Sequence, residues 1–552
     1  MKKIFISFVT LTVLVGCNID RTPYNSKESD VVLGDATGLR SITLGNYALL
    51  KGDASGGGFF NNLYRVGEYG GDNIDISGTT TDQFFYYYNY RSIKNNGRSN
   101  IIWNNGYKAI VGANRAIIKF AEGKDAETDQ LLGENYFLRA YVYFSLVNVF
   151  GKPYNQGASN LGVPLKLSDD VNDLPARATV GAVYDQVVKD LQKAEQLMTV
   201  DKGNVYASKE AAQALLSRVY LYMENNDKTI EYADKVINSG KYSLLSTTEL
   251  PLYSTKTPEN NQETIFAFKY NKDGDYTDGW YTIGSMYANI QNVGWGEMYA
   301  SASYLDLINQ NPKDARLKFI SPKYADPKTQ AVYWVQKGNN ASGAVTYNYK
   351  FQKTFQKNGS TYFTMDGVDY QVQTEVTPNK TNYYYFVNSG GSKTYVTLDY
   401  DMDKRNGYPK FYILKCSLQE GVPQLWSPVV VRLAEVYLNR AEAYAKKGNV
   451  GSALADVNII RTRAGIPVYT SVSAGMTLLD TVLQERRLEL AFEAQRKYDV
   501  FRNKLDMNRE YPGTHLNGDN PFYTVPYTNN RIIEYIPEQQ IQIQPNLIQN
   551  PD

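Results

Sequence analysis

Histidine occurs once in these 552 residues and cysteine twice. A three-histidine metal site is therefore impossible, and a Ser-His-Asp triad would have to recruit His515. That residue stands in the polar stretch YPGTHLNGD, which reads as a solvated loop. The patterns GxSxG, HExxH, GxxxxGK[ST] and GxGxxG are all missing. Neither sign of charge is in excess, with 58 Lys and Arg against 57 Asp and Glu, so the chain lacks the electrostatic footprint of a nucleic-acid or anionic-lipid binder. Glycosidic hydrolysis needs only two carboxylates, but no pair stands out among the acids.

Long apolar runs are also scarce. Ile4 to Val15 is too short to span a bilayer as a helix, and it follows the basic pair Lys2-Lys3. Leu14-Val15-Gly16-Cys17 then reads as a lipobox: residues 1–16 form a signal peptide, Cys17 becomes the lipid anchor, and residues 17–35 form a polar tether. With Cys17 acylated, only Cys416 remains, so no disulfide within the chain is expected. Stability must then come from a large core, which a chain of this length can build.

What the chain does contain is tyrosine, 47 in all, and a run of helical periodicities. Val431, Ala434, Leu438, Ala441 and Ala445 mark one face of a helix that Gly448-Asn449 stops. Ala453, Val457, Ile460 and Ala464 mark a second, ended by Gly465-Ile466-Pro467. A third is expected as one helix from about Leu478 to Asn503. Arg486 and Glu493 share its apolar face, so they must be paired, and Glu485, Glu489 and Arg496 are within helical reach as partners. Further helices are expected over 36–50, from Ile101, over Asp129 to Phe150, and after Thr179, a plausible N-cap.

A helical pair repeats after 222 positions without a gap. Arg218 falls on Arg440, Tyr222 on Tyr444, Ala233 on Ala455, Asp234 on Asp456 and Ile237 on Ile459, and Arg139-Ala140…Tyr143 echoes the motif again. Such Ala- and Tyr-rich pairs read as tetratricopeptide-like repeats that bury their faces by stacking.

The segments RLAEVYLNRAEAYAKKGN, ADVNIIRTRAGIP and ERRLELAFEAQRKYDVFR resemble the C-terminal signature of the SusD/RagB family of outer-membrane nutrient-binding lipoproteins. One departure is Ala494, where the family often has Gly. The resemblance implies a mainly α fold: a tetratricopeptide-like scaffold (about 101–242 and 427–503) with loop-rich insertions (about 52–100 and 243–426) that carry short β-strands and form the ligand face. Residues 504–552 would close the single body, which starts at residue 36. It further implies a SusC-like TonB-dependent transporter as partner, and a glycan or, alternatively, an oligopeptide as ligand, with no cofactor and no turnover; a glycoside hydrolase is the rival from another class.

A sugar presents C–H faces to an aromatic ring and hydroxyls to acids, amides and Arg. Two loop groups supply that mixture: Asp72 and Asp75 with Tyr86, Tyr88 and Arg91, and Trp280 and Tyr281 with Trp295. Trp103 and Trp426 read as structural. Asp273-Gly274-Asp275 with Asp278, and Asp399 with Asp401 and Asp403, offer oxygens at a spacing suited to structural calcium, although neither has an EF-hand pattern and solvated turns are the plainer reading.

Overall fold

The computed structural model describes residues 36–52, 57–78, 82–376, 382–517 and 522–552. The expected signal peptide, Cys17 and the tether lie outside the described residues. Among the described residues, no helix is long and apolar enough to cross a membrane.

The fold is mainly α. Helices α1 (Ala36–Lys51), α2 (Phe59–Tyr69), α3 (Phe84–Asn89), α4 (Gly97–Lys119) and α5 (Ala126–Phe150) open the chain. They are followed by α6 (Val180–Leu197), α7 (Lys209–Tyr222) and α8 (Asn226–Asn238), and then, after a long excursion, by α9 (Leu433–Lys446), α10 (Val450–Ala464), α11 (Leu478–Glu489) and α12 (Arg496–Arg502). Their starts are chemically marked. Asn96, Asp125, Thr179, Ser208, Asn225 and Asn449 each accept a hydrogen bond from a first-turn amide of the helix that follows.

The helices stack in sequence, α4 on α5, α5 on α6, α6 on α7 and α7 on α8. The stack then passes from α8 directly to α9, across the whole excursion from Ser239 to Arg432. Positions related by the 222-residue repeat touch there, since Asn439 Nδ2 on α9 donates to Ser217 Oγ on α7 at 3.1 Å. The repeated arginines serve as forks between helices. Arg139 grips Asp190 at 2.8 and 2.6 Å, and Arg440 grips Asp456 at 2.9 and 2.7 Å, each bidentate. At the junction the pairing shifts: Arg218 takes Glu435 of α9, and Asp234 is left to Arg440 at 2.5 Å.

Residues 57–78 and 82–100 are more regular than their sequence suggests. Ten of the eleven residues of α2 are buried, yet polar Asn61, Asn62, Arg65 and Glu68 recur at helical spacing between Phe59, Phe60, Leu63 and Val66, a period that the expectation of loops here passed over. Strand β1 (Ile74–Ile76) is likewise buried throughout. The excursion contains β2 (Thr264–Ala267), β3 (Met298–Ala300) and a seven-stranded antiparallel sheet. Its strands are β4 (Tyr324–Asn339), β5 (Val345–Lys357), β6 (Ser360–Met365), β7 (Val368–Gln371), β8 (Gln373–Val376), β9 (Asn382–Val387) and β10 (Lys393–Met402), in spatial order β7-β6-β5-β4-β10-β9-β8. Short strands were expected, yet β4 and β5 run 16 and 13 residues. Val332, Trp334, Phe363, Phe386 and Val396 give the sheet a core of its own. Strand β11 (Val429–Arg432) pairs with β2 and leads back into α9.

The expected single helix over 478–503 is broken. Phe492 and Ala494 take left-handed backbone conformations, with φ of 64° and 61°, between α11 and α12. Tertiary contacts impose the break. Phe492 is buried edge-on against Tyr304 at 5.0 Å, and Lys415 Nζ donates to the carbonyls of Glu489 and Ala491 at 2.8 and 2.9 Å. Arg432 donates to the Glu489 carbonyl at 2.9 Å, and the Tyr64 hydroxyl donates to the Phe492 carbonyl. Cations and a phenol thus satisfy carbonyls that the helix end leaves orphaned.

Apart from Asp499 with Arg502 along α12, the charged residues of this segment pair across elements rather than along one helix. Glu489 meets Arg432, Arg463 and Arg316, while Glu485 meets Arg316 and Arg461. Arg432 also holds Glu263 and Glu493, and Lys415 holds Glu493. Arg486 pairs with Asp499 and Arg496 with Asp72. Burial alone would raise the Glu489 carboxyl, but Arg463, Arg432 and Arg316 outweigh it and hold the group well below the usual carboxylate range.

His515 is buried, contrary to the solvated loop expected. The Tyr88 hydroxyl donates to Nδ1 at 2.8 Å and Nε2 donates to the Arg509 carbonyl at 2.8 Å. Burial and the nearby Arg509 guanidinium push its pKa well below the ordinary value, so the imidazole is neutral. The C-terminal segment is tied to α5, with Glu534 N donating to the Val149 carbonyl and Asn550 Nδ2 to the Phe150 carbonyl, both at 2.8 Å.

Candidate functional site

The two loop groups fare differently. Strand β1 runs antiparallel to β3, with Asp75 opposite Tyr299, so the backbone carrying the first group lies beside the strand that follows Trp295. Its acids, however, face the interior. Asp72 is 2% exposed and accepts from Arg496 Nε and NH2 at 2.7 and 3.0 Å, which with Arg487 holds it well below the usual carboxylate range despite burial. Asp75 is 1% exposed, and burial pushes its carboxyl up. Tyr88 is fully buried against His515. Tyr86 is half-buried and Arg91 exposed, joined by the Arg91 N to Tyr86 carbonyl hydrogen bond at 3.0 Å. The structure therefore brings Tyr86 and Arg91 together near the surface and leaves Asp72, Asp75 and Tyr88 in the packing beneath.

The second group does assemble. Trp280 and Trp295 meet edge to face, with centroids 5.0 Å apart and planes at 74°. The Trp295 indole N–H donates to the Trp280 carbonyl at 3.1 Å. Trp295 is 49% exposed and Tyr281 51%, large values for rings held this firmly.

Two supports fix them. From α2, Asn61 Nδ2 and Arg65 NH2 donate to the Tyr281 carbonyl at 3.0 and 3.1 Å, and Arg65 NH2 also donates to the Thr282 carbonyl at 3.0 Å. From the segment before β11, Gln424 Nε2 donates to the Ala288 and Val293 carbonyls at 2.9 and 2.8 Å. Gly294 has φ of +100°, and a Cβ there would lie 2.3 Å from the Ala288 carbonyl oxygen, so this turn requires glycine. Exposed Asp278, Gln291 and Asn292 in the same two loops form the polar fringe. A cleft beside the rings is walled by Asn61, Tyr276, Tyr281 and Trp426.

Trp103 and Trp426 are structural, packed on Phe150 and Tyr64 at 5.2 and 5.9 Å. The candidate calcium carboxylates face ammonium groups and donors instead: Asp275 pairs with Lys51, Asp401 with Lys353, and Asp403 with Lys410, while Asp399 accepts from the Tyr324 hydroxyl. Among the described residues, no group of three or more His, Cys, Asp or Glu is placed to hold a metal ion. A polar cleft of about 610 Å³ that sequence reasoning missed is lined by Lys152, Asn155, Gln156, Tyr527 and Asn530. Lys152 and Gln156 point back to the Asn529, Phe501 and Tyr527 carbonyls, which marks this cleft as packing polarity.

This architecture is a helical stack with a strand-bearing excursion and an aromatic face on its loops. The chain belongs to the SusD family, whose model matches residues 262–552. A second family model, described as starch-binding and associating with outer membrane, matches residues 60–221. Among curated relatives, SusD-like protein P2 of Formosa agariphila is 24% identical over 523 residues, 92% of this chain and 91% of the relative. Starch-binding protein SusD of Bacteroides thetaiotaomicron is 24% identical over 408 residues, 70% and 66% of the two chains. A crystal structure of a SusD superfamily protein from Bacteroides thetaiotaomicron superposes with a TM-score of 0.69 at 25% identity, covering 93% of this chain and 99% of the other.

Proposed function

We propose that this chain is a cell-surface lipoprotein of the outer membrane, anchored through Cys17 and facing the exterior. In this reading it captures oligosaccharide or polysaccharide fragments and passes them to a SusC-like TonB-dependent transporter. The observation that carries the ligand reading is the ring set of exposed Tyr281 and Trp295 with half-buried Trp280, on loops held by α2 and Gln424 and fringed by Asp278, Gln291 and Asn292. Rings whose orientation is already fixed lose little freedom on meeting a sugar face, and acids and amides beside them suit hydroxyls. The family's outer-membrane description and the starch-binding relative support the same reading. The site binds without turnover, and no cofactor is required.

The test is calorimetric titration of the soluble chain beginning after Cys17 with neutral oligosaccharides and with peptide pools. Trp295→Ala should weaken oligosaccharide binding by about tenfold or more, as expected for a central aromatic anchor, and leave the unfolding midpoint nearly unchanged. Binding of peptides alone would replace the glycan reading with peptide import. Release of reducing ends from a bound polysaccharide would make the protein a hydrolase instead.

A further inference from the structure

The seven-stranded sheet has two faces with different fates. Along β9 and β10, Tyr384, Phe386, Val396 and Leu398 turn inward to the sheet's own core around Trp334 and Phe363. On the opposite side, Tyr333 and Phe351 dock the module on the body, with the Tyr333 ring 5.9 Å from Phe411. Beyond that docking point, the same outer side presents Tyr383, Tyr385 and Tyr395 to solvent.

These rings form a cross-strand ladder. Tyr385 stands opposite Tyr395 on β10 and opposite Gln373 on β8, and Tyr383 stands opposite Glu375. Centroids are 6.3 Å apart for Tyr383–Tyr395 and 6.2 Å for Tyr385–Tyr395. Tyr395 is 52% exposed and Tyr383 36%. Their tips and flanks are tied down: the Tyr385 hydroxyl donates to Gln373 Oε1 at 2.9 Å, and the Tyr395 hydroxyl to Glu375 Oε2 at 3.4 Å. Lys393 Nζ sits 4.5 Å from the Tyr385 ring centroid and pairs with Glu375 at 2.6 Å.

We infer that this ladder is a second carbohydrate-binding surface, separate from the Trp280–Trp295 rings, that takes a neutral polysaccharide chain. The inference rests on the proposed glycan-binding function. Three features select the occupant. Tyr385 and Tyr395 are pre-oriented by their own hydrogen bonds, so their faces are available at little ordering cost. The charges on the patch are paired one to one, Lys393 with Glu375, which matches an uncharged partner and offers its hydroxyls both donors and acceptors. A protein partner fits poorly, because the cores of protein interfaces are depleted in Lys and Glu, and here that pair lies among the rings.

Affinity gel electrophoresis in amylopectin, laminarin, xylan and galactomannan tests the assignment with four proteins. These are wild type, Trp280→Ala/Trp295→Ala, Tyr383→Ala/Tyr395→Ala, and the combination of all four substitutions. The tyrosine pair should weaken retardation on the bound polysaccharide about fivefold or more. The tryptophan pair should keep a residual retardation that disappears in the combined variant. Tyr383→Phe/Tyr395→Phe, which keeps the rings, should be retarded like wild type, and unchanged unfolding midpoints should show that all variants are folded. The inference is overturned if the tyrosine pair behaves as wild type and the combined variant as the tryptophan pair. It is equally overturned if wild type is dimeric on a sizing column and the tyrosine pair is monomeric, because the ladder is then a self-association face. Wild type passing through all four gels unretarded would remove the glycan reading itself, and this surface with it.

Discussion

Glu489→Gln is the sharpest test of how the scaffold is held. The carboxylate is 1% exposed and lies 2.7 Å from Arg432, 2.5 Å from Arg463 and 3.3 Å from Arg316. Around it, Arg316, Arg432, Arg461, Arg463 and Lys415 balance Glu263, Asp314, Glu485, Glu489 and Glu493, five charges against five. The glutamine is nearly isosteric, so it leaves no cavity. It does leave one net positive charge without solvent, and its amide protons face guanidinium groups. Removing one partner of a buried ion pair costs about 3–5 kcal/mol. At about 2 cal/mol/K of unfolding entropy per residue over about 500 ordered residues, that is a fall of roughly 3–5 °C in the thermal midpoint. Glu122→Gln is the control: it meets Lys193 at 2.9 Å with both side chains 37% exposed, and should cost less than about 1 kcal/mol. The acid range adds a second readout. Because the Glu489 carboxyl is held below its unfolded value, its contribution is complete above about pH 4.5 and fades as pH falls. The gap between wild type and variant should therefore narrow between pH 7 and pH 3. A midpoint shift no larger than that of Glu122→Gln, or a gap that does not depend on pH, would refute the reasoning.

Four further expectations follow from the same region and its surroundings. Burial raises the Glu68 carboxyl to about 7, so its native state holds a proton that the unfolded chain releases, and stability falls as pH rises from about 4.5 to 7. Neutral His515 has the opposite slope, because below about pH 6.5 the unfolded chain gains a proton that the folded one refuses. In urea titrations, Glu68→Gln should gain on wild type by up to about 3 kcal/mol over its window. His515→Gln should gain on wild type by up to about 1.4 kcal/mol per pH unit on acidification below 6.5; either difference staying flat with pH would exclude the protonation state assigned. At the helix break, Ala494→Gly should stabilise by about 1 kcal/mol, since Ala494 sits at φ 61°. Gly67→Ala should destabilise by about 1–3 kcal/mol, since its Cβ would lie 2.6 Å from the Ala494 carbonyl oxygen; differential scanning calorimetry separates the two signs.

Sequence showed the helical scaffold through repeated Ala and Tyr spacings, even in α5 and α7, which are buried on nearly every side. The helical period of α2 (Asn61, Asn62, Arg65 and Glu68 on one face) stands directly after a glycine run that reads as loop, and the break at Phe492 was hidden because no Gly or Pro stands between Leu490 and Gln495. Charge on the apolar stripe of α11 correctly demanded partners. Their identities could not be read, since Arg316, Arg432 and Glu442 come from distant stretches. The Trp280–Tyr281–Trp295 set was legible because aromatic residues in Gly- and Asp-rich loops have little interior to occupy. The pattern around Asp72 and Asp75 looked the same, but β1 is covered on both sides.

The break and the ring set are parts of one mechanical arrangement, and α2 joins them. Tyr64 and Glu68, one turn apart, face the break: the Tyr64 hydroxyl donates to the Phe492 carbonyl, and Glu68 Oε2 accepts from Ala494 N at 2.8 Å. Asn61 and Arg65, also one turn apart and offset by a few residues, hold the Tyr281 and Thr282 carbonyls. The signature segment thus fixes α2, and α2 fixes the loop that presents the rings. This division explains why so strong a sequence signature says nothing about the ligand. The residues that make the signature recognisable set where the rings stand, whereas the exposed groups beside the rings, Asp278, Gln291 and Asn292, lie outside that signature.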